Sequence, residues 1–216
     1  MVEGGPGRFI TFEGGEGAGK STQLNRLADA MTSAGYAVLK TREPGGSPGA
    51  ELIRDLLVTG AVDRWDAESE LFLHIAARRD HVTSTIRPAL EQGHWVLCDR
   101  FADSTMAYQG YGFNLGRETV ATAHRLALGD FDPDLTLILD LPVSEGLARA
   151  RARDGDGQNR YERMEIDFHE RLRRGFLEIA QHDPDRCAVI DAKKDADAVH
   201  AAILGEVARR LSIDTL

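Results

Sequence analysis

The sequence predicts an α/β fold, a parallel sheet with helices on both faces. Short apolar runs alternate with longer stretches of helical periodicity along most of the chain, a pattern that favours parallel strands joined by helices. A glycine-rich loop over residues 14–21 links the first apolar run to the first helical stretch. At 216 residues the chain has the length of one domain with one core. No repeat, heptad array or linker divides it, so residues 1–216 are expected to form a single domain.

Residues 8–13 are β-branched and aromatic and read as the first strand. Residues 22–34 follow as a helix, with Leu24, Leu27, Ala28 and Met31 at helical spacing. Residues 36–41 read as the second strand and 42–49 as a loop dense in turn residues. Residues 50–58 read as a helix with Leu52, Ile53, Leu56 and Leu57 on one side. A long helical stretch over 66–92 should break or bend near Pro88 and end at Gly93, ahead of the third strand, 94–99. Residues 129–134 form a turn, and 135–140 is the clearest strand of the chain. A helix over 143–153, a loop without apolar content over 154–159, a helix over 161–182, a fifth strand over 187–191 and a helix over 196–211 complete the pattern.

Composition removes several function classes. Lys and Arg number 26 against 35 Asp and Glu, a net charge of −9 that gives no support to coating nucleic acid. Cys98 and Cys187 lie far apart without a C-x-x-C pattern and read as small apolar residues in a reducing compartment. No segment resembles a signal peptide or reaches the ~20 apolar residues of a membrane span. A soluble, cytoplasmic protein is expected. The histidines show no paired ligand spacing, which argues against zinc.

Gly14 to Ser21 read G-G-E-G-A-G-K-S, a full match to G-x-x-x-x-G-K-[ST] between a strand and a helix. Glycines let successive backbone N–H groups face one anion, and the helix N-terminus adds partial positive charge. Lys20 would reach the β- and γ-phosphates of a nucleotide, and Ser21 would ligate Mg²⁺. Asp99 and Arg100 end the third strand, at the edge of a parallel sheet where ligands bind. They could hold metal and phosphate, or form a solvated ion pair. Arg42 and Glu43 end the second strand at the same edge and could contact an acceptor phosphate or face water. Arg149, Arg151, Arg153, Arg160 and Arg163 bracket the polar loop. They suit a lid that closes over phosphates, or a solvated helix face. Asp140 is either a second acid near metal or a strand-end cap ahead of Pro142.

In order along the chain, F-E-G-G-E-G-A-G-K-S-T, T-R-E-P-G-G, A-A-R-R, D-R-F-A-D-S-T-M-A-Y-Q-G and R-A-R-A-R closely resemble the thymidylate kinase (dTMP kinase) family. The resemblance runs from Phe9 to Asp191. It implies a P-loop nucleoside monophosphate kinase fold with a five-stranded parallel sheet, a usual homodimer, and transfer of the γ-phosphoryl of Mg-ATP to dTMP. On that resemblance, Gly14, Gly15, Glu16, Gly17, Ala18, Gly19, Lys20, Ser21 and Thr22 bind ATP, together with Arg149 and Arg153. Ser21 and Asp99 serve the metal. Glu16, Arg42, His74, Arg78, Arg100, Ser104, Thr105, Tyr108 and Gln109 bind dTMP. Glu16 approaches the sugar 3′-hydroxyl, Arg42 and Arg100 the acceptor phosphate, and Arg78 the thymine carbonyl. Tyr108 lies beneath the deoxyribose and leaves no room for a 2′-hydroxyl. Glu13 is either structural or a support for residues that touch the nucleotide.

Because the loop interior carries no arginine, the chain resembles the bacterial lid-arginine type, with a lid over about 150–162. Catalysis then falls to Lys20, Asp99, Arg100 and Arg153, with Arg149 and Arg160 as lesser candidates for the lid arginine. One position departs from the pattern. Where family members commonly carry a phenylalanine stacked on thymine, this chain has His74, whose imidazole could stack or, on protonation, alter base binding. Alternatively His74 only borders the pocket while Phe72 faces the core. The competing functions are a kinase for another pyrimidine monophosphate, a nucleotide-dependent switch, and an inactive homologue.

Overall fold

The computed structural model describes residues 7–154 and 160–213, with the side chains of Arg153 and Asp154 left aside. Five strands form one parallel sheet in the order β2-β3-β1-β4-β5. They are β1 (Phe9–Glu13), β2 (Val38–Arg42), β3 (Trp95–Asp99), β4 (Leu135–Asp140) and β5 (Cys187–Asp191). Each expected strand forms within two residues of its expected ends. In the centre, β1 pairs with β3 (Phe9 beside Val96) and with β4 (Ile10 beside Leu135). Covered on both faces, β1 is buried at every residue, which is why its β-branched and aromatic side chains do not alternate with exposed ones.

Strand alternation assigns the two faces. Ile10, Phe12, Leu135, Leu137 and Leu139 pack under α1 (Lys20–Ser33) and α9 (Ala196–Leu211), where Leu27, Met31, Ile203 and Val207 are fully buried. Phe9, Val96 and Cys98 point the other way, onto Phe101, Val82 and Ile86. On this second face Thr11 and Thr136 are buried and share a 2.9 Å hydrogen bond. Thr136 also donates to Asp103, which pairs with Arg186 at 2.6 Å. The polar positions beneath the site are therefore satisfied rather than apolar.

Four helical segments differ from expectation. First, α2 (Pro48–Val58) buries Leu57 but leaves Leu52 74% and Leu56 38% exposed, so its expected apolar side is only half used. Asp80 ties α2 down by accepting from Ser47 Oγ (2.6 Å) and from Ala50 N (3.2 Å). Second, α3 (Ala67–His81), capped by Asp66, is not broken at Pro88; the irregularity expected there falls just ahead of it. The helix runs through a wide π turn over Val82–Ile86 into α4 (Arg87–Glu91). Pro88 has no N–H and crowds the carbonyl four residues back, and the wider turn absorbs both defects.

Third, sequence periodicity assigns no element between Arg100 and Leu128. The structure has α5 (Ala102–Thr105), a π turn over Met106–Gly112, and α6 (Arg117–Leu128). Fourth, the expected helix over 161–182 splits. A short 3₁₀ turn, Arg160–Arg163, precedes α8 (Ile166–His182). The remaining helix is α7 (Val143–Asp154). Asp140 is neither cap nor cleft acid. It forms a two-pronged ion pair with Arg173 of α8 (2.7 and 2.9 Å). Among the described residues, no helix is long and apolar enough to cross a membrane.

Candidate active site

The glycine loop follows β1 and ends where Lys20 opens α1. Two of its glycines are required by packing. A Cβ on Gly14 (φ 128°) would strike the Leu139 carbonyl, and one on Gly17 (φ 66°) the carbonyl of Gly146 in α7. A Cβ on Gly146 would in turn strike the Glu16 carbonyl, so loop and helix meet backbone to backbone. The Lys20 ammonium is drawn back under the loop, donating to the Gly14 and Gly15 carbonyls at 3.2 and 2.8 Å. Burial, then the Arg100 charge, pull its pKa down to about 8. Ser21 Oγ donates to Asp99 Oδ2 at 2.5 Å, joining the loop to the end of β3.

Arg100 stands at the centre, in a left-handed conformation (φ 71°) that non-glycine residues rarely adopt. Phe101 N and Ser104 Oγ, both just after that turn, donate to Glu13 at 2.7 and 2.5 Å. Burial, reinforced by nearby Asp103, raises the Glu13 pKa to about 8. Glu13 is thus a buried support for Arg100. The Arg100 guanidinium donates to Gly14 O (3.0 Å), Ser104 Oγ (3.1 Å) and Glu16 Oε1 (2.9 Å), and lies over the Tyr108 ring. Tyr108 donates to the same Glu16 oxygen at 2.6 Å. Burial works to raise the Glu16 pKa, but Arg100, Lys20 and the Tyr108 hydroxyl outweigh it and hold the carboxylate at about 2.

A cleft of about 260 Å³ opens from the loop past Arg100 towards α3. Along α3, Glu70, His74 and Arg78 recur every four residues, which sets them on one helix face. Arg78 donates to Glu43 Oε2 (2.7 Å), Phe101 O (3.0 Å) and Thr105 Oγ1 (2.7 Å). His81 Nδ1, at 3.0 Å, braces Glu43 from behind. Arg78 Nη1 and Gln109 Oε1 are buried without a protein partner among the described residues, and both residues line the cleft.

Of the expected site residues, the cleft brings together Glu16, Gly17, Gly19, Lys20, Ser21, Thr22, Arg42, His74, Arg78, Asp99, Arg100, Ser104, Thr105, Tyr108 and Gln109. Gly14 and Gly15 line a smaller cavity behind the loop, and Ala18 is buried in the core. Ser104 and Thr105 reach the cleft with hydroxyls already engaged, one between Arg100 and Glu13, the other with Arg78. Arg149 lies outside the cleft lining, donating to Ala192 O at 3.3 Å. Arg153 has no described side chain, and residues 155–159 of the expected lid lie outside the described residues.

Arg160 is 1% exposed, paired with Glu70 and donating to the carbonyls of Leu57 (2.7 Å) and Val62 (2.9 Å). That arginine is a tether, not a free lid group. His74 lines the cleft, whereas Phe72 is 65% exposed and faces neither cleft nor core. Sequence reasoning missed Arg54 of α2, which lines the cleft and donates to Pro44 O at 2.6 Å, and also Tyr161. The one available signal for Arg54 was a cation set among the leucines of a short helix. Ser21 and Asp99 offer hard oxygen donors side by side at the loop mouth. Among the described residues, no group of three or more His, Cys, Asp or Glu could hold a metal ion. A hydroxyl with one carboxylate, completed by phosphate and water oxygens, fits Mg²⁺.

A phosphate loop at a parallel sheet's carboxyl edge, opening into a second pocket lined with cations and aromatic rings, defines a P-loop kinase of the nucleoside monophosphate class. Residues 12–203 match the family model described as thymidylate kinase. The thymidylate kinase of Caulobacter vibrioides is 58% identical over 207 residues, spanning 96% of this chain and 99% of that protein. That of Bradyrhizobium sp. strain ORS 278 is 52% identical over 96% of this chain and 92% of its own length. The crystal structure of thymidylate kinase from Ehrlichia chaffeensis superposes with a TM-score of 0.75 at 35% identity, covering 94% of this chain and 99% of that one. The chain belongs to the thymidylate kinase family.

Proposed function

We propose that the protein transfers the γ-phosphoryl group of ATP to dTMP, giving dTDP and ADP, with Mg²⁺ held by Ser21 and Asp99. The observation that carries this reading is the shared position of Arg100, bonded at once to the phosphate loop and to the Glu16–Tyr108 pair of the second pocket. One guanidinium between two nucleotide sites suits a transfer in which negative charge passes from donor to acceptor. The loop amides and Lys20 bind the β- and γ-phosphates. Magnesium, when bound, neutralises charge on the phosphate oxygens.

At the other end, Arg100 holds the acceptor phosphate, with Arg42 and Arg54 at the rim. Arg42 is paired with Glu51 at 3.1 Å, and a phosphate would compete for it. Arg78 offers Nη1 to a base carbonyl, and Gln109 offers an acceptor to a base N–H. Tyr108 packs beneath the sugar and disfavours a 2′-hydroxyl, while Glu16 approaches the 3′-hydroxyl. Arg153 is assigned to the transferring phosphoryl as the lid arginine, and Arg149 to the ATP side. A coupled assay across dTMP, dUMP, dCMP, dGMP and UMP is expected to show dTMP as the preferred acceptor. Preference for UMP, or ATP hydrolysis indifferent to dTMP, would overturn the reading.

A homodimer is part of the same proposal. Leu52 of α2, Phe72 of α3 and Leu126 of α6 are 74%, 65% and 88% exposed, on helices that pack side by side with α3 in the middle. Exposed large side chains on adjoining helices suit a two-fold interface. Phe72→Glu is expected to yield monomers in sedimentation while the wild type sediments as a dimer, and an unchanged dimer would reject this face. The buried free thiols of Cys98 and Cys187 suit the cytoplasm.

A further inference from the structure

We propose that Tyr161 is a positioning residue for His74, and that the hydrogen-bonded pair forms the wall against which the acceptor base lies. This rests on the reading above, in which the inner cleft takes the base. His74 Nε2 and the Tyr161 hydroxyl are 3.0 Å apart, with ring centroids separated by 6.4 Å. Both residues line the cleft. Tyr161 also meets Tyr108 edge to face at 5.2 Å, so three rings adjoin along one side of the pocket.

Tyr161 can act as an anchor because its own backbone is anchored. Arg160, immediately before it, is fixed by Glu70 and by two carbonyls near the end of α2, and its guanidinium lies over the Tyr161 ring. Glu70 also accepts from Gln109 at 2.7 Å. The face of α3 thereby grips Arg160 through Glu70, Tyr161 through His74, and Thr105 through Arg78. Imidazole offers less apolar area than a phenyl ring and has polar edges that can draw it towards water. A fixed hydrogen bond holds the plane that packing alone would leave loose. Burial, together with the Arg78 and Arg100 charges, pulls the His74 pKa down to about 3, so the ring meets the base uncharged at neutral pH.

The test is a double-mutant cycle read in steady-state kinetics. Tyr161→Phe deletes the hydroxyl, and with it the bond to His74 and the longer one it accepts from Arg160 Nη2 at 3.4 Å. The variant is expected to raise KM for dTMP roughly three- to ten-fold, chiefly through loss of the shorter bond. Turnover and KM for ATP should stay within about two-fold, a split that general loosening of the fold does not produce. His74→Phe supplies a ring that needs no hydroxyl. In that background Tyr161→Phe removes only the contact with Arg160 and is expected to raise KM for dTMP much less than in the wild type. An unchanged KM in Tyr161→Phe, or the same rise in both backgrounds, overturns the pairing. Melting temperatures of all variants are measured alongside, and a KM rise that tracks lost stability also overturns it. A wild-type enzyme that ignores dTMP defeats the base-pocket reading itself; dTMP turnover with an additive cycle defeats only the pairing.

Discussion

Lys20→Ala is expected to lower turnover by about three orders of magnitude or more while leaving the fold intact. The ammonium sits under the loop within 2.8 Å of the Gly15 carbonyl, at the N-terminus of α1. From there it need only swing forward to meet phosphate oxygens that gain charge during transfer. Its pKa of about 8 means that burial and the neighbouring Arg100 disfavour the cation in the folded protein. Removing it therefore relieves an unfavourable charge, and the melting temperature should hold or rise. Single-turnover measurements with saturating ATP and dTMP check the chemical step, and wild-type turnover in the variant would contradict the phosphate role. Arg153→Ala should act on the same step with a smaller loss, lowering kcat more than it raises KM for dTMP. If only KM moved, the lid role would pass to another arginine.

Strands and phosphate loop are legible in the sequence because each is contiguous and chemically uniform. β1 and β4 are covered on both faces, so they are buried almost throughout and rich in apolar residues, with Thr11 and Thr136 as buried polar positions inside them. The unassigned stretch after Arg100 has a different cause. Asp103, Ser104, Thr105 and Gln109 are buried there although polar, because they support or line the site. Hydrophobic periodicity equates burial with apolar side chains, and this helix breaks that equation. On α2 and α6 the error runs the other way, since Leu52 and Leu126 are apolar and exposed.

The acceptor residues at strand ends were readable from motifs, whereas Arg54 and Tyr161 reach the cleft from segments far apart in the chain. The spacing of Glu70, His74 and Arg78 puts them on one helix face, although Glu70 went unread in the sequence. What that face grips, Arg160 and Tyr161 above all, was not legible there either. Arg160 shows why an arginine count cannot assign roles: flanking the same loop as Arg153, it is spent inside the protein.

Arg100 carries the second large effect, and its backbone allows function and stability to be separated. Arg100→Ala and Arg100→Gly both delete the guanidinium, so both are expected to lower kcat/KM for dTMP by roughly 10³-fold, the scale of losing a positioned charge at a transferring phosphoryl. Arg100→Lys should recover little, because a single ammonium cannot reach Gly14 O, Ser104 Oγ and Glu16 together. Stability should order the variants differently. At φ 71° an alanine keeps the Cβ strain, about 1–2 kcal/mol, that glycine does not feel. Glycine loses about 0.5–1 kcal/mol to the freedom it gains in the unfolded chain. Arg100→Gly should therefore be at least as stable as Arg100→Ala in urea denaturation, the reverse of their usual order. A clearly more stable alanine variant would show that the left-handed turn relaxes once the guanidinium is gone. The strain would then be held by the Glu16 and Ser104 contacts rather than by the Glu13 support beneath.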